Sequence, residues 1–169
     1  MLQHIFQQGL QALILTLPDP HGGRRVEYER RRKTGLNVLP ASLNALRYAV
    51  KYLQRGGMVV TGIDRPIREP KYRPRFFGYA AALPTHHVSL ALQARVPIVV
   101  MAVIEVAAGN YHVMSSSPIE MEHYKDRGDA IVQNAERVLK QAETFIRMAP
   151  QQWNVPLPVW PQLMGSIAG

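Results

Sequence analysis

The sequence predicts an α/β domain in which a mixed central sheet is flanked by helices. Three short apolar runs, each bounded by glycine, proline or charged residues, have the length and composition of buried strands. Other segments repeat apolar residues at the spacing of an amphipathic helix. The 169 residues, 47% of them apolar, suffice for one hydrophobic core but not for two ordinary domains. We therefore expect a single domain over residues 1–169.

The first half of the chain supplies two of the predicted strands and two helices. Ala12–Leu17 is an apolar run that ends at a cluster of turn formers, which predicts a buried strand followed by a loop. Arg24–Lys33 is dense in charge and lacks proline and glycine, so we expect a short exposed helix there. Ser42 precedes apolar residues at helical spacing, and the pattern stops at Gly56, which predicts a capped helix. Met58–Thr61 predicts the second buried strand.

The second half continues the alternation of helices and strands. Thr85–Arg95 predicts a helix with Thr85 as its N-cap. Pro97–Ile104 is a continuous β-prone run typical of a central strand, and a turn over residues 107–110 leads into a further strand, Tyr111–Ser116. Gly128–Ala149 carries one apolar stripe opposite its charges and predicts an amphipathic helix. The tail, residues 150–169, holds both tryptophans and several prolines, which predicts an irregular strap.

Two polar residues follow the strand Met58–Thr61 closely. Ligands of open α/β sheets bind at the carboxyl edge, and Asp64 and Arg65 come just after this strand. We expect Met58–Thr61 and Ile98–Ile104 to be strands of one sheet, with Asp64 at its carboxyl edge. Asp64 would then lie where ligands of such sheets usually bind. The alternative is a strand-end turn residue paired with Arg65.

Positive charge is concentrated in the segment that follows. Lys and Arg number 20 and Asp and Glu 12, so the formal net charge is +8, which favours an anionic partner. Residues 65–74 contain three prolines, which predicts an extended loop. Its basic residues suit phosphate, since guanidinium binds phosphate in a bidentate way, although a solvated surface is the alternative. They are Arg65, Arg68, Lys71 and Arg73, with Arg75 directly after the loop. The basic clusters are not interleaved with aromatic residues in any recognisable RNA-binding motif, so nucleic acid is not expected.

The composition excludes several classes of site. The chain contains no cysteine, so neither disulfides nor a thiol nucleophile nor a cysteine zinc site can form. The histidines His86, His87, His112 and His123 do not have zinc-site spacing, and no metal is expected. No apolar stretch approaches the roughly 20 residues of a membrane-spanning helix. We expect a chain that is soluble or peripheral to a membrane.

Four stretches of the sequence form a pattern in their order and spacing. The stretches are Gly56–Pro66, Phe76–Gly78 followed by Ala80–Pro84 and Leu90-Ala91, Val96–Val99 continuing to Gly109 and Tyr111, and the closing order Glu143, Ile146, Arg147, Pro150, Gln152, Trp153 with Trp160 beyond it. This pattern resembles the lipid A biosynthesis late acyltransferases and their phosphatidylinositol mannoside acyltransferase relatives, in the lysophospholipid acyltransferase superfamily. The four stretches cover residues from about Gly56 to Trp160.

The resemblance implies a glycerol-3-phosphate acyltransferase-like fold and an activity. A fatty acyl group would pass from acyl-CoA or acyl-carrier protein to a hydroxyl of a membrane glycolipid or phospholipid, without a cofactor. The protein would act at the cytoplasmic face of the bacterial inner membrane, peripheral to an anionic lipid surface. Asp64 and Arg65 are the implied catalytic residues. The implied substrate-binding residues are Arg68, Arg73, Arg75, Phe76, Phe77 and Gly78.

One departure from the family pattern concerns the catalytic base. The family signature His-x-x-x-x-Asp/Glu is absent, because none of the six histidines has an acidic residue at that spacing. The resemblance places this motif before the region that matches Leu10–Pro20, so we expect a chain incomplete at its N-terminus. We also expect these 169 residues to be inactive alone. The alternative is a non-catalytic lipid- or acyl-binding domain.

Overall fold

The computed structural model of the chain describes residues 12–16, 26, 29, 33, 37–155 and 157–164. The chain is α/β, with parallel and antiparallel sheets accompanied by helices. It divides into two compact units. The first comprises residues up to Gly62 together with Gln93–Arg95, and the second comprises Ile63–Leu92 and the residues from Val96 onward.

The first unit contains a parallel sheet. Its strands are β1 (Ala12–Thr16), β2 (Asn37–Pro40) and β3 (Met58–Val60), with β1 in the middle. Ile14 of β1 lies opposite Val38 of β2 and Val60 of β3. Residues 12–15 are buried, as expected for a strand that is hydrogen-bonded on both sides and covered on both faces. The predicted strand at Ala12–Leu17 is thus confirmed over Ala12–Thr16, and Leu17 lies outside the described residues.

Helix α1 (Leu43–Gln54) begins and ends where the sequence predicts. The Ser42 Oγ accepts a hydrogen bond from the Ala45 N–H at 3.1 Å, which satisfies one free donor of the first turn. Gly56 has a φ of 82° just beyond the helix, a conformation that a residue with a Cβ rarely adopts. Of the helix predicted at 24–33, only Val26, Glu29 and Lys33 are described, and all three are helical. The other residues of that segment lie outside the described part.

The second unit contains two antiparallel hairpins. The first pairs β4 (Arg75–Phe76) with β5 (Tyr79–Ala80), and the second pairs β6 (Met101–Ala107) with β7 (Asn110–Ser115). Gly109 has a φ of 77° in the second turn, close to the predicted turn at 107–110. Helix α2 (His86–Ala94) directly follows Thr85. The segment 65–74 has no helix or strand, as its prolines predict.

The expectation that Met58–Thr61 and Ile98–Ile104 belong to one sheet is wrong. In the described part of the chain β3 pairs with β1 alone and β6 pairs with β7 alone. Neither segment is fully buried: Met58 is exposed, and in the later run Val99 and Met101 are exposed while Val100 is buried. A continuous apolar run is typical of a strand covered on both faces, but a short turn after it permits a hairpin with one open face.

Helix α3 (Arg127–Met148) is the main support of the second core. The Asp126 carboxylate caps it by accepting a hydrogen bond from the Asp129 N–H at 2.9 Å. The predicted apolar stripe is confirmed, because its residues are buried in or beside the core. The core cluster consists of Phe76, Ala81, Leu83, Val100, Val138, Leu139, Ala142, Phe145 and Val159. Burying one such large side chain stabilises the fold by roughly 1.5–3 kcal/mol.

The C-terminal strap runs over this core, and its described part is mostly irregular. It contains a short 3₁₀ helix (Pro150–Gln152) and one helical turn, α4 (Pro161–Met164). The Val159 carbonyl accepts a hydrogen bond from the Ala82 N–H at 2.9 Å. Trp153 and Trp160 both pack against the core cluster. The strap therefore places two indole rings next to the hairpin formed by β4 and β5.

Candidate functional site

The turn between β4 and β5 has an unusual backbone. Phe77 has a φ of 50° and Gly78 a φ of 84°, as at the two central positions of a type I′ hairpin turn. Asn-Gly is the usual pair there, because asparagine and glycine tolerate the left-handed region, whereas most other residues are strained in it by about 1–2 kcal/mol. Phe77 therefore occupies this conformation because surrounding contacts stabilise it.

Two residues of α3 make such contacts. The Phe77 N–H donates a hydrogen bond to the Glu143 Oε1 at 2.6 Å. The guanidinium carbon of Arg147 lies 4.8 Å from the centroid of the Phe77 ring, a cation–π distance. Arg147 also forms an ion pair with the Glu143 Oε2 at 3.5 Å, within one turn of the helix. One carboxylate thus contacts both the backbone of the turn and the cation that covers its ring.

An aromatic cluster, formed by Phe76, Phe77, Trp153 and Trp160, surrounds the turn. The ring centroids of contacting pairs lie 4.7 to 6.2 Å apart, mostly in edge-to-face or stacked geometry. The Trp160 Nε1–H donates to the Phe76 carbonyl oxygen at 3.0 Å. Phe76 is 0% exposed and belongs to the core, whereas Phe77 is half-buried. Of the two predicted acyl-site rings, only Phe77 has accessible surface.

Asp64 joins this cluster through a tryptophan. The Trp153 Nε1–H donates a hydrogen bond to the Asp64 Oδ2 at 3.1 Å, and the Trp153 ring also lies 6.2 Å from the Phe77 ring. Asp64 and Phe77 therefore contact one indole, although they are far apart in the sequence. Among the described residues no ion pair joins Asp64 to Arg65. We predict that Asp64, Arg65 and Phe77 border one cleft.

The predicted basic residues lie on the surface. Arg65, Arg68, Arg73 and Arg75 are all exposed, and within the described ranges none of their guanidinium groups forms an ion pair. Their loop is fixed at one point by the Ile67 N–H, which donates to the Ala82 carbonyl at 2.8 Å. The Arg75 N–H donates to the Glu136 Oε1 at 2.9 Å, while its side chain stays in solvent. The structure thus leaves these charges available to an anionic ligand.

The histidines are divided between core and surface. His87 is 5% exposed, and neither of its ring nitrogens has a hydrogen-bond partner. Burial, with a smaller contribution from the charge of His86, lowers the pKa of His87 to about 3. His112 and His123 are exposed. Over the described residues, no three His, Asp or Glu side chains are grouped so that they could hold a metal ion.

Glu143, Arg147 and Trp153 contribute to the family resemblance, but the sequence alone assigns them no part in the site. The structure shows that they contact Phe77 and Asp64 directly. Gln152 was also assigned no role, yet it makes two hydrogen bonds to the backbone of Glu105. For Glu143 and Arg147, the only signal in the sequence is their helical spacing, which indicates an ion pair between them. The spacing does not indicate that the pair contacts Phe77.

Comparison with known proteins identifies a family whose match to the chain spans the site. The model of a family described as bacterial lipid A biosynthesis acyltransferase matches residues 24–160. The match includes the basic loop, the Phe77 turn, α3 and both tryptophans. A search of curated proteins gave no match. None of the described helices is both long enough and apolar enough to cross a membrane.

Proposed function

The chain belongs to the bacterial lipid A biosynthesis acyltransferase family, and we propose that its site handles a fatty acyl thioester and a hydroxyl of a membrane glycolipid or phospholipid. The observation that carries this proposal is the contact of Asp64 and Phe77 with Trp153. It brings a fixed carboxylate and a half-buried aromatic surface together. A lipid substrate has a polar reacting end and an apolar chain, and these two features suit its two parts.

The reaction sets the roles that the residues must fill. The acceptor hydroxyl oxygen attacks the thioester carbonyl carbon, a base takes the hydroxyl proton, and the C–S bond breaks to release the thiol. Donors must stabilise the negative charge that develops on the carbonyl oxygen. We propose that Arg65 stabilises this charge or binds a nearby phosphate, and that Asp64 orients the base or the acceptor. Because the transfer is neither oxidative nor reductive, we propose no cofactor beyond the acyl donor.

Substrate binding is assigned to the residues around the turn. Arg68, Arg73 and Arg75 are exposed and unpaired within the described part, which suits the phosphates of acyl-CoA, of acyl-carrier protein or of a lipid headgroup. Phe77 and Gly78 supply the wall of the acyl site, and the buried Phe76 supports Phe77 from behind. Attraction of basic residues to an anionic leaflet is worth about 1 kcal/mol each. We place the protein peripherally at the cytoplasmic face of the inner membrane.

No histidine of these 169 residues has the family's acidic partner at the required spacing. We propose that this chain binds acyl-CoA and lipid but does not transfer the acyl group. The second candidate function, a non-catalytic lipid- or acyl-binding domain, is favoured by the same observation. The two candidates differ in whether upstream residues restore transfer.

The test compares this chain with a version extended upstream in its reading frame to include a His-x-x-x-x-Asp/Glu motif. Radiolabelled palmitoyl-CoA and bacterial phospholipid and glycolipid extracts serve as substrates, and transfer is measured by chromatography of the lipids. We expect both versions to bind, and transfer by the short version to be lower by about 100- to 10,000-fold, the usual loss on removing a general base. Asp64→Asn in the extended version should lower transfer while preserving binding.

Each other outcome has a distinct meaning. Equal transfer by both versions would show that catalysis was assigned to the wrong residues. Binding by both versions without transfer by either would favour the non-catalytic domain. Absence of binding to acyl-CoA and to vesicles by both versions would refute the proposed function as a whole.

A further inference from the structure

Phe77 is held in its conformation from outside the hairpin. It and Arg95 are the two non-glycine residues with a left-handed φ in the described part of the chain. The strain of a left-handed phenylalanine corresponds to a factor of roughly 10 in an equilibrium between two backbone conformations. Without a compensating contact, the turn would therefore favour another conformation, and the Phe77 ring would point elsewhere.

Two glutamates of α3 contact this hairpin in the same way but at different places. Glu136 accepts a hydrogen bond from the Arg75 N–H at 2.9 Å, and Glu143 accepts one from the Phe77 N–H at 2.6 Å. They are two helical turns apart, so they lie on the same face of the helix. Arg75 has an ordinary backbone conformation, whereas Phe77 is left-handed. Glu136 therefore attaches a strand, whereas Glu143 also fixes a strained turn.

The ring of Phe77 is held by the same helix. The guanidinium carbon of Arg147 lies 4.8 Å from the centroid of the Phe77 ring, and the ion pair with Glu143 orients this guanidinium group. The side chain of Glu143 is 15% exposed and that of Arg147 is 65% exposed, so the carboxylate is partly buried and the cation lies at the surface. A hydrogen bond to a carboxylate in such a site is shorter and stronger than one between neutral groups. The backbone and the ring of Phe77 are both fixed by this one pair.

We propose that Glu143 and Arg147 are positioning residues that determine which acyl-chain lengths the site accepts, although neither touches the acyl chain. They hold the Phe77 turn so that its ring forms the wall of the acyl site. This inference rests on the proposed function, because it requires that the acyl chain lies against Phe77. If Glu143 is lost, the turn relaxes and the wall moves, so the preference for one chain length over another decreases.

The experiment measures binding by the chain of 169 residues, so it does not require catalysis. Lauroyl-CoA and palmitoyl-CoA are titrated, and the dissociation constants are read from the fluorescence of Trp153 and Trp160, which contact Phe77. The variants are Glu143→Ala, Glu143→Gln and Arg147→Gln. Glu136→Ala is the matched control, because it removes the same type of bond from the same hairpin.

We expect the ratio of the two dissociation constants to change about 10-fold towards unity in Glu143→Ala. Glu143→Gln should retain most of the preference, because the amide oxygen still accepts from the Phe77 N–H. Arg147→Gln, which alters an exposed side chain, should give an intermediate ratio. Glu136→Ala should lower the stability of the chain but leave the ratio unchanged.

The results that would overturn the proposal are separate from those that would overturn the proposed function. Failure of the unaltered chain to bind either acyl-CoA would refute the acyl site itself. If the unaltered chain discriminates between the two ligands and Glu143→Ala discriminates equally, the positioning role is refuted. An equal loss of this discrimination in Glu136→Ala would show that Glu143 supports the hairpin in general and has no specific positioning role. If Glu143→Ala does not fold, an unchanged ratio in Arg147→Gln refutes the proposal.

Discussion

Replacing Trp153 by Phe should weaken the attachment of Asp64 to the aromatic cluster. The indole N–H donates to the Asp64 Oδ2 at 3.1 Å, and a phenyl ring keeps part of the packing but not the donor. A hydrogen bond to a charged acceptor is worth about 1.5–3 kcal/mol when buried. Asp64 is only partly buried, and water competes for its carboxylate, so we expect a coupling energy of about 1–2 kcal/mol.

A double-mutant cycle separates this bond from the loss of ring area. Trp153→Phe, Asp64→Ala and the double variant are unfolded in urea, and the transitions are followed by far-UV circular dichroism because a fluorophore is removed. The free energy of unfolding of the double variant is compared with the sum of the single effects. Trp160→Phe combined with Asp64→Ala is the control, because the Trp160 indole donates to the Phe76 carbonyl instead.

The control pair should be additive to within about 0.5 kcal/mol. A coupling between Trp153 and Asp64 no larger than that of the control would refute the reasoning. Asp64 would then not be held by the cluster, and the observation on which the proposed function depends would fail.

Three further predictions concern the second unit. Gly78→Ala should lower the free energy of unfolding by about 1–2 kcal/mol through backbone strain alone, because nothing lies within 4 Å of the added Cβ. Gly62→Ala is the control, because its added Cβ also has open space but its backbone has no left-handed φ. The control should be nearly neutral in the same urea titration. Because burial lowers the pKa of His87 to about 3, the unfolded chain binds the extra proton first as pH falls below 6.5. The free energy of unfolding should therefore decrease from pH 6.5 towards pH 3, by about 3 kcal/mol at pH 4.5. In a His87→Phe variant that folds, this decrease should be absent. Asn134→Ala should lower the free energy of unfolding, measured by thermal unfolding, by about 2–4 kcal/mol. The reason is that the fully buried amide of Asn134 hydrogen-bonds both the N–H and the carbonyl of Glu122.

Local signals in the sequence predicted the elements that local interactions determine. The Ser42 cap and the helix over Arg127–Met148 follow from side chains within a few turns of each other. The pairing of strands depends on contacts between distant segments, and the apolar run at Pro97–Ile104 carries no information about its partner. That is why its placement in one sheet with Met58–Thr61 was wrong.

The site was predicted in part for the same reason. Asp64 and Phe77 could be chosen from the sequence, but their common neighbour Trp153 lies 89 positions from Asp64. A left-handed Phe77 could not be inferred, because the intrinsic preference of phenylalanine is against it. The hydrogen bond from Glu143 that stabilises it spans 66 positions. Tertiary contacts thus determine the turn against its local preference.

The two hydrogen bonds of Gln152 affect how the protein can associate with other chains. Its amide oxygen accepts from the Glu105 N–H at 2.8 Å and its amide nitrogen donates to the Glu105 carbonyl at 2.8 Å, in the manner of a neighbouring strand. An unpaired strand edge is a template for aggregation, and proteins commonly block such edges. A foreign β-strand could add to β6 at Glu105 only by displacing this side chain. Gln152 therefore occupies the edge of β6 at Glu105.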